Sequence, residues 1–361
     1  MSFICTRSDK ELNYLSKYAL ACLHGNVRLN SSSESALINL GGRIVNTPLL
    51  ETRNLKKYFK TSQGWLHAVD DVSIQIAQGK TLGVVGESGC GKSTLGRTVL
   101  RLTDATAGEV LLEGQNILQY GRKKMKQVRQ EMQIIFQDPY SSLDPRQCVI
   151  EIIASPMLVA SNLYSKAQAY ERAGELMDTV GLAPRFAYAY PHELDGGRRQ
   201  RIGVARALAL EPKFIVCDEP VSALDVSIQA QILNLLMDIQ EEQGLTYMFI
   251  THDLSVVRHI SDEILVMYMG QCVEQADAKL LFEAPRHPYT KALMSAILEP
   301  TLDAGSIAQK VIGGEVTTPI APAPGCRFAP RCPQVMKSCL NENIPLKDIG
   351  SGHMVACLQV E

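Results

Sequence analysis

The sequence predicts an α/β fold, because patterns of strand length and of helix length alternate along much of its 361 residues. Two short apolar runs, Phe214–Cys217 and Tyr247–Thr251, have the length of buried strands. Between them, an apolar face with a period of about 3.6 residues runs from Ile228 to Ile239 and indicates a helix. We therefore expect parallel central strands, with a helix-rich insertion between residues 141 and 200.

The remaining elements are predicted from the same periodicities and from turn residues. Near the N-terminal side, Leu50–Leu55 and Ala68–Ile76 are predicted strands, the second from its alternation of Val72, Ile74 and Ile76. In order, the others are the strand Thr81–Val85, the helix Lys92–Leu102, a hairpin of Glu109–Leu112 with Asn116–Leu118, the helix Lys166–Val180, and a hairpin of Ile264–Tyr268 with Gln271–Gln275.

The composition argues against a membrane-spanning or nucleic-acid-binding chain. Lys and Arg number 36 against 38 Asp and Glu, so no basic bias indicates a nucleic-acid partner. No apolar run approaches the roughly 18 residues of a transmembrane helix. The stretch Tyr14–Leu23 is too short for a secretory signal and is interrupted by Lys17. We expect a cytosolic chain that contacts a membrane only through partner subunits.

A glycine-rich segment, Gly86–Thr94, links the predicted strand Thr81–Val85 to the predicted helix Lys92–Leu102. Its spacing is that of a P-loop, the name used for it below. Glycines let the backbone curl so that successive N–H groups point at one anion, and the helix N-terminus adds positive partial charge. Lys92 would reach the β- and γ-phosphates, and Ser93 would ligate Mg²⁺. The predicted nucleotide-binding residues of this segment are Gly86, Glu87, Ser88, Gly89, Cys90, Gly91, Lys92, Ser93 and Thr94.

Two carboxylates, Asp218 and Glu219, end the predicted strand Phe214–Cys217. Asp218 suits a position beside Mg²⁺, and Glu219 is placed to polarise an attacking water as a general base. Two acids at a strand end are often only a solvated terminus. The P-loop earlier in the chain favours the catalytic interpretation.

Four further segments identify a family. They are Gln137-Asp-Pro139, Leu194-Asp-Gly-Gly-Arg-Arg-Gln-Arg201, Ser222-Ala-Leu-Asp225 and Thr251-His-Asp253. In this order, they resemble the Q-loop, the signature, the D-loop and the switch histidine of ABC ATPases. Together with the P-loop and the Asp218–Glu219 pair, they follow the order of motifs in that family. A finer resemblance, to the second ATPase subunit type of oligopeptide/dipeptide importers, covers about residues 49–357. It rests on Ile135–Arg146, His287–Leu293 and Gly325–Pro333.

The resemblance implies a P-loop NTPase (RecA-like) ABC cassette with an antiparallel β subdomain, a helical subdomain and a Cys-rich C-terminal extension. The cassette would span residues 48–280, with the helical subdomain at about 139–202, and the extension would span 281–361. Residues 1–47 resemble nothing in the family, and we expect a disordered segment or a misassigned start.

The resemblance also implies a mechanism in which two cassettes close head to tail around two ATP molecules. Gln137, Ser93 and Asp218 would hold Mg²⁺, while Glu219 and His252 would act on the water and the γ-phosphate. Phe59, with Tyr58 as runner-up, would stack on the adenine. The partner's site would be completed by the signature residues Leu194, Asp195, Gly196, Gly197 and Arg198, and Asp225 would be the D-loop residue.

The implied partners are a second ATPase subunit, two transmembrane permease subunits and, indirectly, an extracytoplasmic solute-binding protein. A heterodimer of ATPases is expected, with a homodimer as the alternative, on the cytoplasmic face of the membrane. The signature departs from the usual Leu-Ser-Gly-Gly-Gln, because Asp195 stands where a serine hydroxyl donates. An ionised Asp195 accepts only and repels phosphate, so the site that it completes is expected to be the weaker one. Arg198, Arg199 and Arg201 follow closely and would offset part of that charge.

Four cysteines crowd the C-terminal region: Cys326, Cys332, Cys339 and Cys357. Four thiolates suit either tetrahedral zinc or a [4Fe–4S] cluster. No tight Cys-x₂-Cys pair is present, which disfavours a zinc ribbon. The resemblance to the peptide-importer C-terminal extension favours the iron–sulfur cluster. The other reading, unligated buried cysteines, is disfavoured because a Pro- and Gly-rich segment builds little core of its own.

Two functional classes remain to be weighed. The first is the ATPase of an importer for peptides or a related solute, such as nickel, glutathione or sugar. The alternative is a soluble ABC ATPase that acts on ribosomes or DNA. The single P-loop and single signature, about a hundred residues apart, disfavour the double cassettes and long insertions of those soluble relatives. The importer reading is therefore preferred.

Overall fold

A computed structural model describes residues 48–160, 163–295 and 318–360, which belong to one compact unit within residues 47–361. The expectations for residues 1–47 lie outside the described residues. Part of the segment assigned to the C-terminal extension, residues 296–317, also lies outside them.

The strands of the described residues form two sheets, with orders β2-β1-β4-β5 and β11-β12-β10-β9-β3-β8-β7-β6. Their bounds are β1 Leu50–Thr61, β2 Gly64–Ile76, β3 Thr81–Val85, β4 Ala107–Leu112, β5 Gln115–Asn116, β6 Met132–Ile135, β7 Phe214–Asp218, β8 Thr246–Ile250, β9 Glu263–Tyr268, β10 Gln271–Asp277, β11 Lys347–Asp348 and β12 Met354–Val355.

The larger sheet has a parallel centre, as predicted. Strand β3 lies between β8 and β9, and β7 joins β8 to β6, all in parallel. Every residue of β3, β7 and β8 is buried, which explains why these strands appear in the sequence as continuous apolar runs. The carboxyl ends of these strands therefore meet at one edge.

The smaller sheet is antiparallel and packs over the helix that follows the P-loop. Leu50 and Val69 of this sheet share a core with Val84 of β3 and Leu95 of that helix. Strands β1 and β2 are longer than predicted. Register shifts interrupt the alternation of buried and exposed residues along β1, so the sequence pattern does not mark the full length of the hairpin. The hairpin at Glu113–Gly114 is formed, with β5 shorter than predicted because Ile117 begins a 3₁₀ turn.

Helices cover the predicted insertion. The helices of the described residues are α1 Lys92–Val99, α2 Arg122–Glu131, α3 Pro139–Ser142, α4 Val149–Val159, α5 Lys166–Thr179, α6 Gly196–Leu208, α7 Val226–Gln243, α8 Leu254–Ile260, α9 Ala278–Glu283, α10 Pro288–Ser295 and α11 Ser338–Asn341. The start of α5 is fixed by a capping box, in which Ser165 and Gln168 each bind the other's backbone N–H. No helix among those described is long and apolar enough to span a membrane.

The C-terminal residues attach to both sheets. His67 N–H donates to the Pro319 carbonyl over 2.9 Å, and Ala321 N–H donates to the Trp65 carbonyl over 2.8 Å, so the chain after residue 318 pairs with β2. Strand β12 pairs with β10 of the larger sheet. A buried contact of 2.7 Å between His353 Nε2 and Glu274 Oε1 fixes that junction.

Candidate nucleotide site

The P-loop lies between β3 and α1, as the sequence predicts. Gly86 (φ 152°) and Gly91 (φ 106°) hold backbone angles that favour glycine. A Cβ at Gly86 would collide with the Met267 carbonyl oxygen, and one at Gly91 with the Ala68 carbonyl oxygen. The tight packing of this loop against β2 and β9 therefore requires both glycines.

Lys92 folds back over the P-loop. Its ammonium donates to the carbonyl oxygens of Gly86 (2.8 Å) and Glu87 (3.0 Å), and the residue is only 4% exposed. Cys90 is also buried, and burial raises the pKa of its thiol. A protonated, buried thiol is a poor nucleophile, so Cys90 is a packing residue of the loop.

Ser93 and Asp218 lie side by side under the P-loop. The Ser93 hydroxyl donates to Asp218 Oδ1 over 2.6 Å, and Arg97 Nη2 lies 3.5 Å from the other carboxylate oxygen. Asp218 is 1% exposed, so its charge is paired within the protein. A hydroxyl and a carboxylate at this spacing supply the hard oxygen ligands that Mg²⁺ prefers.

Three predicted catalytic residues come together at the carboxyl edge of the larger sheet. Gln137 Nε2 donates to Glu219 Oε2 over 2.9 Å, and His252 Nδ1 lies 3.4 Å from Glu219 Oε1. Glu219 adopts φ 49°, and its N–H donates to the Ile250 carbonyl. Such a left-handed backbone is uncommon for a non-glycine residue and turns the side chain out of the strand direction.

The structure separates the two candidate aromatics of β1. Tyr58 donates its hydroxyl to Asp70 Oδ1 over 2.5 Å and stacks on His67, with ring centroids 3.9 Å apart. Burial and the Asp70 contact raise the pKa of Tyr58. Phe59 is 38% exposed, and the Lys57 ammonium lies over its ring, 4.7 Å from the centroid. Of the two candidate rings, Phe59 is thus the more exposed.

The signature segment, Leu194–Arg198, forms the start of α6. Asp195 caps the helix, because Oδ1 accepts the Arg198 N–H over 2.8 Å. Asp195 Oδ2 also pairs with Arg198 Nη1 over 2.5 Å, as the sequence suggests when it places arginines nearby. Gly197 packs against Ile228 of α7, and Asp225 is exposed at the start of that helix. Across the described residues, no hydrogen bond joins this segment to the P-loop.

The four C-terminal cysteines share one neighbourhood. Cys326 N–H donates to the Cys339 carbonyl over 2.7 Å. Burial raises the pKa of Cys326 and of Cys357, and nearby Cys332 and Cys339 raise both further. Nevertheless, within the described ranges no three His, Cys, Asp or Glu side chains are arranged to hold a metal ion. The predicted iron–sulfur or zinc site is therefore not confirmed.

Two contacts on the P-loop were not predicted. Glu87 N–H donates to the Tyr289 hydroxyl over 2.9 Å, and the Glu87 carboxylate accepts two hydrogen bonds from Arg331. Both partners stand inside segments that the sequence singles out, His287–Leu293 and Gly325–Pro333. Their segments were recognisable, but their contact with residue 87 was not.

A P-loop beside a parallel sheet, with Ser93, Asp218 and Glu219 beneath it and a signature helix in the same chain, defines an ABC ATPase cassette. Comparisons support that class. The ABC transporter family model matches residues 69–222, and the model of the oligopeptide/dipeptide transporter C-terminal region matches residues 273–339. An ATP-binding cassette solved as a dimer with ADP and Pi shares 29% identity at a TM-score of 0.58, covering 63% of this chain and 98% of its own.

The sequence relatives cover nearly the whole chain. The oligopeptide transport ATP-binding protein AppF of Bacillus subtilis is 49% identical over 86% of this chain and 96% of its own length. The dipeptide transport ATP-binding protein DppF of Escherichia coli is 47% identical over 87% of this chain and 95% of its own length. A putative peptide import ATP-binding protein of Brucella ovis is 45% identical over 88% of this chain and 99% of its own length. The chain belongs to the ABC transporter ATP-binding proteins of the oligopeptide/dipeptide type, and it is an ATP-hydrolysing cassette.

Proposed function

We propose that this chain supplies the energy of ATP hydrolysis to an importer of peptides. The observation that carries the proposal is the continuity of the resemblance. Relatives named for peptide, oligopeptide and dipeptide transport match from the cassette through the C-terminal region, not the cassette alone. The soluble alternative is not favoured, because the match to the oligopeptide and dipeptide transport proteins covers 96% and 95% of their own length.

Each predicted site residue has a role in this proposal. Lys92 and the P-loop N–H groups bind the β- and γ-phosphates, and Phe59 stacks on the adenine. Ser93, Asp218 and Gln137 hold Mg²⁺, which neutralises charge on the phosphates when bound. Glu219 polarises the attacking water. Its contacts to Gln137 and His252 support these roles, because both neighbours orient its carboxylate.

The incomplete site calls for a second ATPase subunit. The signature Leu194–Arg198 and the D-loop Asp225 would complete the site of a partner cassette, which in turn would complete this one. We propose a heterodimer, because Asp195 makes the two composite sites unequal. Two permease subunits and an extracytoplasmic solute-binding protein would complete the importer, with this chain on the cytoplasmic face of the membrane.

The same proposal divides the chain into a cassette at residues 48–280 and a C-terminal extension at 281–361. The helices α3 to α5 and the first residues of α6 support a helical subdomain at about 139–202. The match to the oligopeptide/dipeptide C-terminal region supports the extension.

Peptide uptake tests the proposed function. Cells that lack this chain should lose uptake of radiolabelled oligopeptides or dipeptides, since a permease without its ATPase cannot be driven. The wild-type chain supplied in trans should restore uptake, while uptake of a free amino acid in the same cells serves as the control. Unchanged uptake of both peptide classes, together with lost uptake of nickel, glutathione or a sugar, would contradict a peptide substrate.

We also propose that Cys326, Cys332, Cys339 and Cys357 bind a [4Fe–4S] cluster, with zinc as the alternative. The shared neighbourhood of the four thiols supports a common ligand, although their arrangement in the structure is not that of a metal site. The raised pKa of Cys326 and Cys357 means that a metal must displace protons to bind.

Metal content of anaerobically purified protein tests this second proposal. We expect a brown protein that contains iron and acid-labile sulfide and loses both when Cys326 and Cys339 are replaced by Ser. The Cys217→Ser variant, which alters a buried cysteine in β7, is the matched control and should keep them. A colourless protein loaded with zinc would establish the alternative, and a metal-free protein would exclude both.

A further inference from the structure

A C-terminal residue, Arg331, binds the side chain of the P-loop residue Glu87. Arg331 Nη1 and Nη2 donate to the two carboxylate oxygens of Glu87 over 2.8 and 2.9 Å. The Arg331 side chain is 6% exposed and that of Glu87 22%, so this two-pronged pair is largely shielded from solvent. It joins residues 244 positions apart in the sequence.

Tyr289 holds the same P-loop residue by its backbone. The Glu87 N–H donates to the Tyr289 hydroxyl over 2.9 Å, and Tyr289 is fully buried. Its ring packs against Tyr268 (centroids 4.7 Å apart) and Phe328 (5.4 Å), and Phe328 directly precedes the 3₁₀ turn that carries Arg331. Both contacts thus start from residues in, or directly after, one buried aromatic cluster.

The negative charge of Glu87 explains why the P-loop needs the contact with Arg331. Glu87 places a carboxylate in the segment that must accept the strongly negative triphosphate of ATP. A fork-shaped Arg331 pair neutralises that carboxylate and fixes where it points. We infer that Arg331 and Tyr289 are positioning residues for ATP binding, which act through Glu87 and set the affinity of the P-loop for nucleotide.

The inference predicts effects of unequal size on ATP affinity when either member of the Arg331–Glu87 pair is replaced. Arg331→Met leaves the Glu87 carboxylate charged and uncompensated beside the phosphates, which is costly in a shielded site. Glu87→Gln removes that charge instead, so a milder effect is expected. In the double variant, both charges are gone, and ATP affinity should recover towards wild type.

Equilibrium binding of MgATP to the full-length chain measures these effects. We expect Arg331→Met to raise the Kd at least about tenfold, which corresponds to about 1.4 kcal/mol. Turnover of the assembled transporter at saturating ATP should stay within about twofold, because Arg331 does not touch the reacting groups. Arg331→Lys should recover part of the affinity, and Tyr289→Phe, which removes only the hydroxyl, should raise the Kd by a smaller factor. The exposed Lys347→Gln removes a charge from the same region and is the matched control.

Two results would overturn the inference. One is an unchanged Kd in a folded Arg331→Met protein, with folding shown by a thermal unfolding midpoint measured without nucleotide. The other is a double variant that binds ATP no better than Arg331→Met, which would leave a general loss of structure as the cause. Either outcome is independent of which solute the transporter carries.

Discussion

Replacement of Glu219 by Gln should lower ATP turnover by about a hundred- to ten-thousand-fold, the usual contribution of a general base. The amide keeps the size of the side chain and its ability to contact Gln137, which lies 2.9 Å away. It cannot take a proton from the attacking water, because a neutral amide is not a base at neutral pH. Binding of MgATP should persist, since the P-loop and the Ser93–Asp218 pair are unchanged.

Phosphate release and nucleotide binding, measured on the same preparation, separate the two effects. Glu241→Gln is the matched control, because Glu241 is an exposed carboxylate in the last turn of α7. Turnover within about twofold of wild type in Glu219→Gln would assign the base to another group. Lost binding of MgATP would instead make Glu219 part of the binding site rather than of the catalytic step.

The parallel centre of the fold was predictable because its strands are short, buried and uniformly apolar. Strands β3, β7 and β8 were each located within one residue of their observed bounds. The long hairpin of β1 and β2 was only partly predicted. Its outer half carries Lys56, Lys57 and Lys60 and contains register shifts, so no simple alternation marks it in the sequence.

The local parts of the site were predictable for a different reason. The P-loop is one continuous segment whose spacing carries its chemistry, so residues 86–94 needed no knowledge of the fold. The approach of Gln137 and His252 to Glu219 could not be predicted without the fold, because local periodicity does not determine the order of strands in a sheet. Only the family resemblance predicted that the ends of β6, β7 and β8 would bring these three residues together.

Contacts between distant charged residues were the part that sequence reasoning could not reach. Glu87 and Arg331 stand 244 positions apart, and each is unremarkable alone. The capping role of Asp195 was also missed, although an acid directly before a helix is a known N-terminal signal. That role bears directly on how the altered signature can be tested.

Replacement of Asp195 by Ser should raise ATP turnover of the assembled transporter, by about tenfold for a fall of about 1.4 kcal/mol in the activation free energy. Serine caps a helix as aspartate does, so α6 should keep its start at Gly196. In the proposed composite site, the change would remove a negative charge that faces phosphate and would supply a hydroxyl donor. It also releases Arg198, whose guanidinium is 2.5 Å from Asp195 in the structure.

Two companion variants distinguish charge from hydrogen bonding. Asp195→Asn also caps the helix and loses the charge, so it should reproduce most of the gain if repulsion is the cause. Asp195→Glu keeps the charge and should show no gain. The measurement is steady-state phosphate release by the complete transporter, because this signature completes the partner's site and an isolated chain would not report on it. An unchanged rate in Asp195→Ser would mean that the Arg198 pair already neutralises Asp195, and the two ATP sites would then not be unequal on account of this residue.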